Sequence, residues 1–313
     1  MDDAVTAHPT IQRYMPTSAY RARRQLVDKI SRVLLFCAAF ISVIITTGIV
    51  YILVSESWGF FSKVPILDFL TDTQWTPVFA NPQFGIWPLL TATLWAAGIA
   101  LIIAIPLGTI LAIYLSEYAR PSVREIVKPC LEMLEAVPTI VYGYFALLVL
   151  TPFFQNFIPG LSGFNLLVPG IVLGIMILPY VVSVSEDAMR AVPGSLREGA
   201  YALGMSRLQT ACRVIIPGAF SGITAAYVLG MSRAVGETMV LAVAAGQGAN
   251  LTLDPREGAA TITAYIVQMS MGDLPHGSLA YQSIFAVGLV LFLITLLFNV
   301  IGFYLRKRFR EVY

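Results

Sequence analysis

Of the 313 residues, 57% are hydrophobic and 12% charged, about half the charged share of an ordinary soluble domain, and the mean hydropathy is +0.77. That much apolar surface cannot be hidden in one aqueous core, so the chain is an integral membrane protein; a soluble enzyme, a disordered protein and a nucleic-acid binder are excluded. The net charge of +2 says little as a sum, because the placement of basic residues is what orients a membrane protein.

In chain order, a mostly polar tail (1–32) comes first. A crossing helix needs about 20 apolar residues, and residues 33–54 are the first stretch free of Asp, Glu, Lys and Arg. Preceded by so long a tail and lacking a small-x-small cleavage site, this stretch is a retained span rather than a leader. Residues 55–88 are rich in aromatics, among them Trp58, Phe60, Phe69, Trp75, Phe84 and Trp87. They suit an interfacial elbow, where rings sit at the membrane surface, or a docking surface for an outside partner.

The second span is 89–115. From 136 to 185 there is no formal charge, room for two spans (136–154 and 166–185) joined at the Pro/Gly-rich piece 155–163. The fifth span, 217–246, alone carries charges, Arg233 and Glu237; the sixth is 283–305, and a basic tail (306–313) completes the chain. Between spans five and six, 247–282 is expected to be a solvated loop with a short helix. Its His276 lies outside any span and is expected at the surface.

Six spans place both termini on one side. Basic residues number six in the N-terminal tail, three between spans two and three, four between spans four and five, and four in the C-terminal tail. Only Lys63 and Arg256 remain for the opposite loops. The positive-inside rule makes both termini cytoplasmic. Cys37, Cys130 and Cys212 fall in a span or in cytoplasmic segments, so no disulfide framework is expected.

Ionisable groups at membrane depth are costly and face a protein interior or a wet path. Arg233 and Glu237 are four apart, so on a continuous helix they share a face and can pair. Either they stitch the bundle together or Arg233 serves an anion path, its planar donors matching oxyanions. Glu132 and Glu135 sit at the inner mouth of span three, as solvated charges at a helix N-terminus or as contacts for Arg190 or Arg197. Thr139 and Tyr142 are polar handles that hydrogen-bond between helices or touch substrate. Pro106, Pro138 and Pro179 mark possible bends.

The loop 186–216 between spans four and five carries a surface helix opened by Pro193 and Ser195, with Glu198 suited to its first turn and Gly204 to its end. Glu198-Gly199-Ala200, Gly204 and Val214-Ile215-Ile216-Pro217 resemble the EAA signature of ABC importer permeases, with Gly199, Val214 and Ile216 as small or apolar departures. Phe69-Leu70-Thr71, Trp75, Phe84-Gly85, Leu115-Ser116-Glu117-Tyr118, Pro138-Thr139-Ile140-Val141-Tyr142-Gly143 and Arg233-Ala234-Val235-Gly236-Glu237-Thr238 narrow it. Together they resemble the PstC-type permeases of phosphate importers, from about residue 26 to 310.

The resemblance implies a type I ABC importer permease fold in a prokaryotic plasma membrane. It further implies a coupling helix bearing Arg197, Glu198, Gly199, Ala200 and Gly204, docked on an ATPase, and a substrate path with Arg233, Glu237, Thr238, Tyr142 and Thr139. The implied partners are a second permease chain, an ATP-binding subunit dimer and an extracytoplasmic phosphate-binding protein. No Walker A pattern occurs, so ATP is expected on the partner and no cofactor on this chain. Sulfate, molybdate or phosphonate permeases share the architecture, and a scaffold reporting transport state is compatible with it. An intramembrane enzyme is disfavoured because neither histidine lies in a span to serve Ser232, and no HExxH occurs. A secondary transporter is disfavoured by the lack of repeated halves.

Overall fold

The computed structural model describes residues 18–308, with side chains from Arg23 onward; Arg13, Arg310 and most of the N-terminal tail lie outside the described residues. The chain divides into two units, Met1–Ile52 and Leu53–Tyr313. Helix α1 (Ser18–Phe61) makes up the described part of the first unit and runs on into the second. Leu35, Phe36, Val43 and Ile44 are exposed along it, as a lipid-facing helix requires.

In the second unit, α2 (Ile66–Thr71) precedes α3 (Trp87–Ile113), which ends in a wide turn, π1 (Tyr114–Tyr118). α4 (Pro121–Glu135) is followed by α5 (Thr139–Phe145), π2 (Ala146–Leu150) and α6 (Thr151–Gln155). Then come α7 (Leu167–Arg190), α8 (Gly194–Ala202), α9 (Arg207–Thr210), π3 (Ala211–Ile215) and α10 (Ile216–Gly218). α11 (Phe220–Gly236), α12 (Met239–Ala244), α13 (Ile262–Ser270) and α14 (Leu279–Arg308) complete the described chain.

Four helices are long and apolar enough to cross a membrane: Arg23–Phe61, Trp87–Tyr118, Leu167–Arg190 and Leu279–Arg308. The other two crossings are bent pairs. α4 meets the α5–α6 segment at 85°, and Arg207–Gly218 meets α11 at 74°. Of the stretches expected as spans, 136–154 lies on the α5–α6 side of the first bend, which falls at its start, whereas 217–246 is interrupted by the second bend and again between α11 and α12. Pro138 is one cause of the first bend, since its ring disfavours a helical residue before it and removes a donor.

The bundle is built on α3 and α7. Ala92, Ala96, Ala100, Ala104, Gly108 and Ala112 recur every four residues on α3, and all are buried. A stripe of small residues lets membrane helices approach closely. On α7, Gly170 and Gly174 form the matching Gly-x-x-x-Gly step. A Cβ on Gly174 would stand 2.9 Å from the Ala100 carbonyl oxygen, and one on Gly170 would stand 3.0 Å from Ile99. Pro106 and Pro179 lie inside these two helices.

The aromatic segment contains a packed core of its own. Phe60, Phe69, Trp75 and Phe84 are buried and meet edge-to-face at centroid distances between 5.1 and 6.2 Å, the arrangement that ring quadrupoles favour. Trp58 and Phe79 remain exposed. The segment 247–282 is not simply a solvated loop. Ala259, Ala260, Thr261, Ile262 and Tyr265 are buried, and the Ile262 N–H donates to Thr93 Oγ1 at 3.0 Å. His276 is exposed beside Tyr281.

Candidate functional site

Two places in the bundle hold charge where apolar packing would be cheaper. The first is the break in the fifth crossing. α11 stops at Gly236, and Glu237 leaves the helix with extended backbone (φ −67°, ψ 134°). Its carboxylate Oε1 accepts the N–H groups of Met239 (3.0 Å) and Val240 (3.3 Å). These are donors that a helix start leaves without partners. The Glu237 carbonyl is met from the outer segment, where the Thr263 hydroxyl donates to it at 2.7 Å.

The expected Arg233–Glu237 pair is not made in this structure: the Glu237 carboxylate turns forward to the Met239 and Val240 amides rather than back to Arg233. Instead the Arg233 guanidinium carbon lies 5.4 Å from the ring centroid of Tyr180 on α7, a cation–π distance. Among the described residues no carboxylate is within ion-pair reach of Arg233, which is half-buried. Thr238 comes directly after the break, its hydroxyl directed to the Gly236 carbonyl at 3.3 Å.

α5 flanks this break. A Cβ on Gly143 would stand 3.0 to 3.2 Å from Val243, Met239 and Val240, so the missing side chain is what admits α12. The Tyr142 hydroxyl donates to the Leu134 carbonyl at 2.8 Å and ties α5 to the end of α4, the hydrogen-bonding one of its two expected roles. Thr139 is the first residue of α5 and is half-buried.

The second charged place is the end of the bundle bearing 186–216. Pro193 precedes α8, and Gly204 closes it with a left-handed φ of +81°. The Met205 N–H reaches the Ala200 carbonyl (3.1 Å) and the Gly204 N–H that of Tyr201 (2.9 Å), the paired bonds of a glycine-ended helix. Ala200 faces inward, while Glu198, Gly199, Tyr201 and Leu203 are exposed. Glu198 sits one turn further into the helix than the sequence suggested.

Arg197 turns back from α8. Its guanidinium donates to the Met189 carbonyl (2.7 Å), the Val192 carbonyl (2.6 Å) and the carboxylate of Glu117 on π1 (3.2 and 3.4 Å). Glu132 and Glu135 do not take the role of tying the loop to a crossing. They lie in the last turn of α4 rather than at a helix N-terminus, and Glu132 accepts a 3.4 Å bond from Ser183. Arg190 instead approaches Glu186, at 3.8 Å.

Glu186 is the charged residue the sequence reading missed. It is fully buried on α7, and it accepts from Arg124 (2.7 Å) and Lys128 (2.9 Å) of α4. A carboxylate closing an apolar span beside Asp187 was visible in the sequence; its partners, some sixty residues away, were not.

A guanidinium without a carboxylate partner among the described residues, beside a helix break, suits passage of a solute, and a surface helix at the bundle's end with one face exposed suits attachment of another subunit. Both belong to a membrane permease subunit. Residues 104–311 match the family model described as binding-protein-dependent transport system inner membrane component, and the chain belongs to that family. It is similar to a probable ABC transporter permease protein YqgH of Bacillus subtilis, 35% identical over 92% of this chain and 94% of the relative. It is also similar to the phosphate transport system permease protein PstC of Mesorhizobium japonicum, 33% identical over 91% and 92%. A bacterial ABC transporter importing the acidic polysaccharide alginate shares the fold, with a TM-score of 0.62, 15% identity, and 92% of this chain and all of the other covered.

Proposed function

We infer that the chain is a permease subunit of an ATP-driven importer of inorganic phosphate. It lines the path with a second, homologous permease chain in a prokaryotic plasma membrane, both termini cytoplasmic. The observation that carries the anion path is the half-buried Arg233 guanidinium, set over the Tyr180 ring with no carboxylate in ion-pair reach among the described residues. A planar fork of donors suits phosphate oxygens, and the absence of a fixed carboxylate partner leaves those donors for a passing anion. The phosphate transport relative at 33% identity supports the choice of anion.

ATP is bound and hydrolysed by a partner ATP-binding dimer, and an extracytoplasmic phosphate-binding protein delivers the substrate. α8 docks on the ATPase through Glu198, Gly199, Tyr201 and Leu203; the exposure of Leu203 at 85% marks an apolar contact awaiting cover. This chain needs no cofactor of its own for that work. The test is ATP-dependent uptake of radiolabelled phosphate by vesicles holding the reconstituted complex, with sulfate as competitor. Uptake should resist sulfate and collapse in Arg233→Gln while the complex still assembles. Unchanged uptake in that variant would return Arg233 to a packing role, and uptake of sulfate instead would replace the assigned anion.

A further inference from the structure

We propose that Glu117 is the residue through which movement of α8 enters the transmembrane bundle, by way of Arg197. This rests on α8 being the ATPase dock. The physical case is the joint itself. The Glu117 side chain is 4% exposed and that of Arg197 20%, so the pair is little screened by water. Arg197 joins three elements. It comes from α8, takes the Met189 and Val192 carbonyls at the end of α7, and meets Glu117 beyond the end of α3. Both carbonyls lie at the C-terminal end of α7, that of Met189 also accepting the Val192 N–H, and a cation is favoured there by the helix dipole. A rigid, planar guanidinium held in four bonds transmits tilt, where a flexible ammonium would absorb it.

π1 explains why Glu117 can be there. The Ala119 N–H reaches the Tyr114 carbonyl at 2.8 Å, closing a turn one residue wider than the α-helical one. One inserted residue rotates the succeeding side chains by about 100° about the axis. The residues after Ile113 are thus re-aimed relative to the small-residue stripe that faces α7. Ser116 steadies the carboxylate, its hydroxyl donating to Oε1 at 2.7 Å. Around the joint, Ala112, Met189, Val192, Ile215 and Ile223 form one buried cluster.

The consequence is a division of the bundle. α3 and α7, locked by the glycine and alanine stripes, take their push directly from α8. α11, which carries Arg233, is joined to that loop through π3 and the 74° bend and also packs on the same two helices, its Tyr227 hydroxyl sharing a hydrogen bond with Thr109 of α3. The push thus enters at the α3–α7 pair and reaches the path-bearing helix across its packing on that pair.

The experiment uses the reconstituted complex of both permease chains, the ATPase dimer and the binding protein. It records ATP hydrolysis, phosphate taken up per ATP, thermal unfolding, and cross-linking of Ser195→Cys to the ATPase. In Glu117→Gln, cross-linking and hydrolysis should stay near wild type and the complex should assemble with a modestly lowered unfolding temperature, while uptake per ATP falls about tenfold, the scale of one charged hydrogen bond lost. Adding Glu117→Gln to Arg197→Gln should change that ratio no further. Should the glutamine variant not assemble, Glu117→Asp, which withdraws the charge by one methylene, should lower the same ratio. An unchanged ratio in variants that assemble, or losses that multiply in the double variant, would overturn the proposal while leaving the dock intact. No cross-link in the Ser195→Cys complex would overturn the dock, and the proposal with it.

Discussion

Lys128 on α4 and Glu186 on α7 are 2.9 Å apart across 58 residues of sequence, and the carboxylate has no solvent exposure at all. Arg124, one turn before Lys128, completes the clasp at 2.7 Å. α4 turns 85° away from the α5–α6 segment, and this clasp holds it against the bundle.

Removing the anion should be costly. Breaking a buried pair typically destabilises by about 3–5 kcal/mol. Here Arg124 and Lys128 keep some water, and Lys128 also keeps Asp187 at 2.6 Å, so about 2 kcal/mol is expected for Glu186→Gln. Thermal unfolding in detergent should fall by several degrees, whereas Glu132→Gln, at an exposed position, should leave it nearly unchanged.

Two glycine substitutions should move stability in opposite directions. Gly174→Val drives a side chain into the Ala100 carbonyl and the α3–α7 contact; overpacking of this kind costs about 1–3 kcal/mol or more. The readout is the yield of monodisperse protein. Gly199→Ala meets nothing within 4 Å and gains up to about 1 kcal/mol of helix propensity in α8, so its unfolding temperature should hold or rise.

The Asp254–Arg256 pair sets the pH behaviour of the outer segment. The Arg256 side chain, helped by its backbone N–H, holds the Asp254 carboxyl down to about 2. A depressed carboxyl contributes stability above its unfolded value near 4 and loses it as pH falls toward 2. The turn that offers the Pro255 and Arg256 carbonyls to Ser162, Leu166 and Leu167 should therefore hold through neutral and mildly acid pH. Hydrogen exchange at those amides, corrected for intrinsic rates, should stay flat from about pH 8 to 5 and rise in Asp254→Asn.

Hydropathy alone located the crossings, because an apolar run long enough to span bilayer is visible without any knowledge of packing. The breaks were not visible. Glu237 carries the charge of a helix-face partner, yet between Gly236 and Thr238 it serves as a turn residue, and that choice is made by Thr263 and the α12 amides. α4 was missed although Val123, Ile126, Val127, Leu131 and Leu134 keep helical spacing among charges; the eye for spans passes over a half-polar helix. The alanine stripe of α3 was present in the sequence and went unread, since small residues raise no hydropathy signal. The partners of Arg197 and Glu186 depend on distant segments meeting, which spacing does not reveal.

The bond from Thr263 to the Glu237 carbonyl also orders biogenesis. A backbone acceptor left bare in hydrocarbon costs several kcal/mol, and the group that satisfies this one is encoded 26 residues later. Completing the break at Gly236 must therefore wait until the ribosome has made residue 263 and that segment has docked. The bond that closes the break in the fifth crossing thus depends on a segment made after that crossing is complete.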